Sequence, residues 1–212
     1  MAEIKALEVT EVENLLTKGA KLVTIISEAA FENFYIRGQY ILPFIPESIS
    51  FLQEEIPLDH PIIIGREEDA DIVAERLQEV GFNNIMGYTH FDVNRWTMEQ
   101  DNLDMILNTD MEEFCIDLKH QKDAIVIDLR QEEECLMGYV KGALNIPISI
   151  LCQKAKALEE QKQLFVYCSD GFRSMLASCI LRNMGLTNVK NLLLGFNDFN
   201  EEDIEIVKPK KN

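Results

Sequence analysis

The order of residues predicts an α/β fold built on parallel sheets and present in two copies. Three observations carry this. Short, nearly continuous apolar runs such as Ile62-Ile63-Ile64, Ile125-Val126-Ile127 and Leu164-Phe165-Val166 read as strands buried on both sides. Stretches of helical periodicity separate them, so strands and helices alternate. One ungapped shift of 104 residues pairs Tyr35 with Tyr139, Gly38 with Gly142, Pro43 with Pro147, Gly81 with Gly185 and Asn84 with Asn188. A single shift that aligns an early turn, a helix end and a late strand marks an internal repeat.

In the first copy, residues 8–20 read as a helix with Thr10 as its cap and Val12, Leu15 and Leu16 as its apolar stripe. Lys21 to Ile26 is a strand, and Ser27 caps a helix running to Phe34. Ile41 to Ile45 is a strand interrupted by Pro43, and Pro61 to Ile64 is a buried strand. Asp69 to Val80 is a helix stopped by Gly81, and Asn84 to Gly87 closes the copy. Asp101 to Asp104, aperiodic and acidic, is the expected boundary, giving domains 1–104 and 105–212. No glycine- or serine-rich tether joins them, so they are expected to dock closely.

The second copy opens with a helix from Met111 to His120, capped by Thr109 or Asp110. A strand over residues 124–129, an acidic helix from Gln131 to Met137 and a helix from Leu151 to Gln161 follow. Then come the strand Leu164 to Tyr167, a polar loop, and a helix from Ser174 to Met184 stopped by Gly185. Residues 208–212 form a short basic tail.

Composition narrows the function classes. Apolar residues make up 47% of the 212, enough for packed cores, and no apolar run is long enough to span a bilayer. A formal charge of −17 disfavours binding to nucleic acid or to anionic membrane. The first residues lack the basic and apolar regions of a secretory signal, so the expected location is cytoplasmic. The five cysteines (Cys115, Cys135, Cys152, Cys168, Cys179) form no CxxC pair, and an odd count argues against a disulfide framework. No metal-binding motif is present, and neither a metal nor a cofactor is expected.

The chemistry-bearing stretch is Tyr167-Cys168-Ser169-Asp170-Gly171-Phe172-Arg173-Ser174, where a buried strand meets a helix start. Loop amides can curl around the Cys168 sulfur as an anion-binding nest. The positive end of the helix points at the same place, and Arg173 adds a full charge. All three favour thiolate over thiol and would stabilise a persulfide on that sulfur. Asp170 works against them unless its carboxylate turns outward. The plain alternative for Cys168 is a small buried hydrophobe, which remains the default for Cys179 among Leu176, Ile180 and Leu181, and for Cys135.

The pattern Cys168-x-x-Gly171-x-Arg173-Ser174 after an apolar strand resembles the active-site loop of the rhodanese family of sulfurtransferases. Related phosphatase loops place one more residue between cysteine and arginine. Upstream, Asp128-Leu129-Arg130 resembles the end of a family strand. Gly138-Tyr139-Val140-Lys141-Gly142-Ala143-Leu144-Asn145-Ile146-Pro147 resembles the segment after it, with Tyr139 in place of a histidine. Downstream, Asn188 to Phe196 resembles the family's closing strand and glycine turn.

The resemblance implies two rhodanese-like domains, each a five-stranded parallel sheet with helices on both faces, and that Trp96 packs on the first domain's sheet. It implies that Cys168 is the nucleophile, that Ser169, Asp170, Gly171, Phe172, Arg173 and Ser174 bind substrate, and that Asp128 and Arg130 hold the loop. The first copy has Ile64 where the second has Cys168, followed by Gly65 and the acidic loop Arg66-Glu67-Glu68-Asp69, so it is expected to be inactive. An inactive copy followed by an active one also resembles the C-terminal half of fusions that carry a metallo-β-lactamase-fold persulfide dioxygenase. No HxHxDH motif is present here, so the protein stands alone or is a fragment, and a separate persulfide-metabolising enzyme is a possible partner.

The expected function is transfer of a sulfane sulfur, through a Cys168 persulfide, from thiosulfate or a low-molecular-weight persulfide to a thiol or cyanide. Two departures from thiosulfate-using relatives, Ser169 where many have arginine and the acid Asp170, weaken the case for that donor. The alternative is a non-catalytic persulfide relay or docking module. A phosphatase or arsenate reductase is disfavoured by the short cysteine-to-arginine spacing.

Overall fold

The computed structural model of the chain describes residues 4–26, 34–36, 38–43, 46–65, 70–90, 103–158, 162–200 and 202–209. The helix expected from Ser27, the Arg66–Asp69 loop, the packing of Trp96 and the end of the basic tail lie outside these. The chain divides into two compact units, Met1–Met105 and Ile106–Asn212.

The first unit contains α1 (Val9–Thr17), β1 (Lys21–Ile26), β2 (Phe34–Ile36), β3 (Tyr40–Pro43), α2 (Pro46–Glu55), β4 (Ile62–Ile64), α3 (Ala70–Glu79), β5 (Ile85–Tyr88) and β6 (Leu103–Met105). Among the described residues its main sheet has four strands, ordered β3-β1-β4-β5 and all parallel. Where a fifth strand was expected, a single parallel bridge joins Ala6 to Tyr88, made by Leu7 N–H to the Tyr88 carbonyl and Tyr88 N–H to the Lys5 carbonyl. Leu7, Val9, Val12, Leu22, Ile36 and Ile63 form one core cluster, with Leu15 and Leu16 packed on it.

Three local expectations differ from the structure. Helix α1 is capped by Glu8 through a reciprocal capping box with Glu11, not by Thr10. Helix α2 was not anticipated, although Pro46 at its first position is a helix-start signal. Leu103 and Asp104, read as part of an aperiodic boundary, belong with Met105 to a strand paired antiparallel with β2.

The second unit contains β7 (Leu107–Thr109), α4 (Met111–His120), β8 (Ile125–Asp128), α5 (Glu132–Cys135), β9 (Tyr139–Val140), β10 (Leu144–Asn145), α6 (Leu151–Ala155), β11 (Leu164–Tyr167), α7 (Phe172–Asn183), β12 (Val189–Leu192) and β13 (Ile206–Val207). Its main sheet is ordered β10-β8-β11-β12-β7, all parallel. The side pairing of β13 with β9 parallels that of β6 with β2 in the first unit. Asp110 caps α4, accepting the Glu113 N–H at 2.8 Å. Helix α5 ends at Cys135, shorter than expected, because the chain turns through Leu136 and Met137 into Gly138 at φ 131°. Helix α6 ends at Ala155 rather than running on to Gln161.

Strand β11 is buried along its whole length. On α7, eight consecutive residues from Ser174 to Leu181 are buried, which suits a helix enclosed on all sides. The chain moves from β8 outward to β10 and then back across to β11, so the order reverses between β8 and β11. In open α/β sheets, sites form in the crevice at the carboxyl ends of strands at such a reversal. Asp128 ends β8 and Cys168 comes directly after β11, with Tyr167 paired in register to Asp128.

Phe114 is fully buried and meets Phe165 edge-on at 5.0 Å between ring centroids. Phe114→Ala should lower stability by about 3–5 kcal/mol, the usual cost of emptying a large buried aromatic site. The shift would be read as a lower urea midpoint at unchanged slope.

Candidate active site

Asp128 and Arg130 are 1% and 3% exposed, so their charges have to be met inside the protein. Arg130 donates from Nε to Asp128 Oδ1 at 2.9 Å and from Nη2 to Oδ2 at 2.6 Å. Its Nη2 also reaches the Gly138 carbonyl at 2.8 Å, and its guanidinium lies 3.8 Å from the centroid of the Phe196 ring. The Tyr167 hydroxyl donates to Asp128 Oδ2 at 2.6 Å and accepts the Val140 N–H at 3.2 Å. Burial and then the Asp128 charge push the Tyr167 hydroxyl well up. The same two causes, in that order, push the Cys135 thiol up to about 11. Cys135 is therefore a poor nucleophile held against Asp128 Oδ2 at 3.5 Å.

The next residue after Tyr167 is Cys168, which is 0% exposed. Its carbonyl accepts the Phe196 N–H at 2.7 Å, so the strand end is tied to the turn after β12. The Gly171 N–H points at Cys168 Sγ from 3.2 Å. Sγ in turn faces Asp170 Oδ1 at 3.5 Å and Ser174 Oγ at 3.7 Å. A ring of loop amides around the sulfur was expected, but the Phe172 N–H goes to Asp170 Oδ1 at 3.2 Å. The Asp170 carboxylate thus turns one oxygen toward the sulfur rather than away from it.

Two glycines make this loop possible. Gly171 stands at φ 92°, and a Cβ there would meet the Leu193 carbonyl oxygen at 2.5 Å. At Gly195 a Cβ would collide with the backbone of Ser169 and Asp170. The loop therefore lies directly on the turn after β12.

Arg173 does not present a free cation. Its Nη1 and Nη2 each reach a different Glu134 carboxylate oxygen at 2.7 Å, and Nη2 also donates to Ser169 Oγ at 2.8 Å. The hydrogen bond from Arg173 is the first cause holding the Glu134 carboxyl below its ordinary value, and that bond likewise raises Arg173. Sequence reading missed Glu134, one of three consecutive glutamates. Ser174, fully buried, donates to the Gly171 carbonyl at 2.9 Å and closes the loop onto α7. Of the expected substrate-binding residues 169–174, Asp170, Gly171 and Ser174 meet Sγ, while Ser169 and Arg173 bind each other and Arg173 is held by Glu134. Among the described residues no cluster of His, Cys, Asp and Glu could hold a metal ion, and no helix is long and apolar enough to cross a membrane.

Residues 113–202, which contain all of this geometry, match the family model described as Rhodanese-like domain. The chain carries a rhodanese-like domain. Its relatives include a sulfurtransferase of Allochromatium vinosum, 26% identical over 106 residues, or 50% of this chain and 99% of the relative. The thiosulfate:glutathione sulfurtransferase of Homo sapiens is 28% identical over 95 residues, 38% of this chain and 82% of the relative. The Bacillus subtilis protein YqhL is 37% identical over 75 residues, which are 35% of this chain, and the chain spans 60% of its length. A solved rhodanese-related protein from Thermoplasma volcanium aligns with 49% of this chain and 99% of its own, at 29% identity and TM-score 0.44.

Two outcomes check the supports of this rhodanese-like site. Asp128→Ala strands a buried guanidinium and the Tyr167 hydroxyl, and should cost about 3–5 kcal/mol in denaturant unfolding. The Glu134 carboxyl is depressed in the folded state, so its contribution is present above the ordinary value of 4.5 and is lost as pH falls through the lower folded value. Below pH 4.5 the thermal midpoint should therefore fall more steeply in the wild type than in Glu134→Gln.

Proposed function

We propose that the protein is a sulfurtransferase that carries sulfane sulfur on Cys168. The carrying observation is the Cys168 thiol at the end of β11, faced by the Gly171 N–H at 3.2 Å within a rhodanese-like domain whose relatives are named sulfurtransferases. The Cys168 thiolate attacks the outer sulfur of thiosulfate or of a low-molecular-weight persulfide. A bond from Sγ to that sulfur forms, the donor's sulfur–sulfur bond breaks, and sulfite or a thiolate departs with the electron pair. A thiol or cyanide then takes the outer sulfur and restores Cys168. The Gly171 amide and the start of α7 steady the negative charge on the persulfide. Asp128 and Arg130 act at a distance, by fixing Tyr167 and Phe196 on either side of the loop.

The first unit is read as an inactive copy of the same fold. Its strands β3-β1-β4-β5 run in the same order as β10-β8-β11-β12, and Ile64 stands where the 104-residue shift puts Cys168. All five cysteines are free, which fits a reducing cytoplasmic setting. A separate enzyme that consumes or supplies persulfides fits as a partner.

A second reading, a persulfide relay without turnover of its own, is favoured by the complete burial of Cys168. Intact-mass spectrometry after treatment with thiosulfate or glutathione persulfide should show one added sulfur, about 32 daltons, absent in Cys168→Ser. Failure to form that adduct with either donor overturns the sulfurtransferase. A stable adduct that no small thiol or cyanide discharges favours the relay.

A further inference from the structure

We propose that Asp170 selects the sulfur donor, turning the site toward low-molecular-weight organic persulfides and away from thiosulfate. The inference rests on the sulfurtransferase reading above and deepens it.

Thiosulfate brings a sulfonate with its reacting sulfur, and sulfite leaves with more charge still. A site that uses it has to offer amides or a cation where those oxygens arrive. Here the Phe172 amide and the Arg173 cation are engaged within the protein. The Phe172 N–H is bound by Asp170 Oδ1 at 3.2 Å, and that oxygen stands 3.5 Å from Cys168 Sγ. The guanidinium of Arg173 is held by both oxygens of Glu134, and its Nη2 by Ser169 as well. Asp170 is exposed while Cys168 is fully buried, so a carboxylate in reach of solvent stands beside the sulfur. Glu132 and Glu133, exposed, add to the negative charge of the helix whose Glu134 holds Arg173. An anionic head group meets like charge at close range, which is a strong means of rejecting a ligand.

An organic persulfide makes a different demand. Its leaving group is one thiolate sulfur on an organic remainder. The segments touching the loop expose apolar side chains suited to that remainder. Leu136 and Met137 come directly after the helix that bears Glu134, and Leu193 and Leu194 precede Gly195. Exchange is balanced without an oxidant. The bond from Cys168 Sγ to the outer sulfur forms, the persulfide bond breaks, and the departing thiolate takes up the proton that Cys168 gives up. The products are the Cys168 persulfide and a free thiol.

The test compares second-order rates of Cys168 persulfidation by glutathione persulfide and by thiosulfate, read by intact mass, in the wild type and in Asp170→Asn. Asparagine keeps the size and an acceptor oxygen for the Phe172 N–H but removes the charge. The wild type should prefer glutathione persulfide, and Asp170→Asn should move the ratio of the two rates by about tenfold toward thiosulfate. Added salt should speed the thiosulfate reaction more in the wild type than in the variant. An unchanged ratio, or a wild type that prefers thiosulfate, overturns the proposal while leaving sulfur transfer standing. No adduct with either donor removes the sulfurtransferase reading itself and the proposal with it.

Discussion

The second unit is organised around an ion pair that water cannot reach. Asp128 and Arg130 are two residues apart and almost wholly buried, so each depends on the other and on further hydrogen bonds to stay charged there. Those further partners are the informative part. Gly138 comes from the turn after α5, Tyr167 is the last residue of β11, and Phe196 lies beyond β12. Three segments that meet nowhere in sequence are thereby fixed to one point. Cys168 is the residue after Tyr167, and its carbonyl is held by the Phe196 N–H, so the backbone carrying the sulfur is anchored from both directions. A hydrophobic replacement of the pair could match its stability, but it would not specify these directional contacts.

The loop itself is held by shape more than by bonds. Gly195 lets the turn after β12 lie on the Ser169 and Asp170 backbone, and Gly171 turns the chain back under the Leu193 carbonyl. In the loop so placed, the Gly171 N–H points toward Sγ at 3.2 Å. The Arg173–Glu134 latch then fastens the first turn of α7 to α5. A bidentate pair of this kind adds orientation as well as energy.

Much of this was legible in the sequence because it is local. The strand before Cys168, the cysteine-to-arginine spacing and the glycine stop at Gly185 are contained in short windows whose patterns have direct physical meaning. The illegible part is long-range or degenerate. Nothing local tells which of Glu132, Glu133 and Glu134 will face an arginine 39 positions later; helical phase decides it, and α5 is only four residues long. The orientation of Asp170 was equally hidden, since an acid in a loop can turn either way until the neighbouring amide is placed. The ring of amides expected around the sulfur was reduced for that reason. Helix α2 was missed although Pro46 marked its start, because weak amphipathicity gave no stripe to follow. The first unit's fifth strand shrinks to one bridge at Ala6, a difference of a few hydrogen bonds that periodicity does not register.

Read as a copy of the same fold, as proposed above, the first unit carries different groups where the second has the ion pair. The shift of 104 residues brings Thr24 to the position of Asp128 and Ile26 to that of Arg130. Thr24, still buried, accepts a hydrogen bond from Gln39 Nε2 at 2.6 Å, and Gln39 Oε1 accepts the Ile36 N–H at 2.8 Å. The backbone of Gly65 comes so close to Thr24 Oγ1 that a Cβ would collide with it. A neutral hydrogen-bonded network therefore closes the end of β1, and two buried charges are avoided. If the pair were needed only to cap a strand of this sheet order, the same need would exist here and would have the same answer. On the proposed reading, threonine and glutamine stand there instead, and the buried charges accompany the loop after β11. Desolvating an aspartate and an arginine is costly, and in this chain the charged pair stands in the unit that has a cysteine to position.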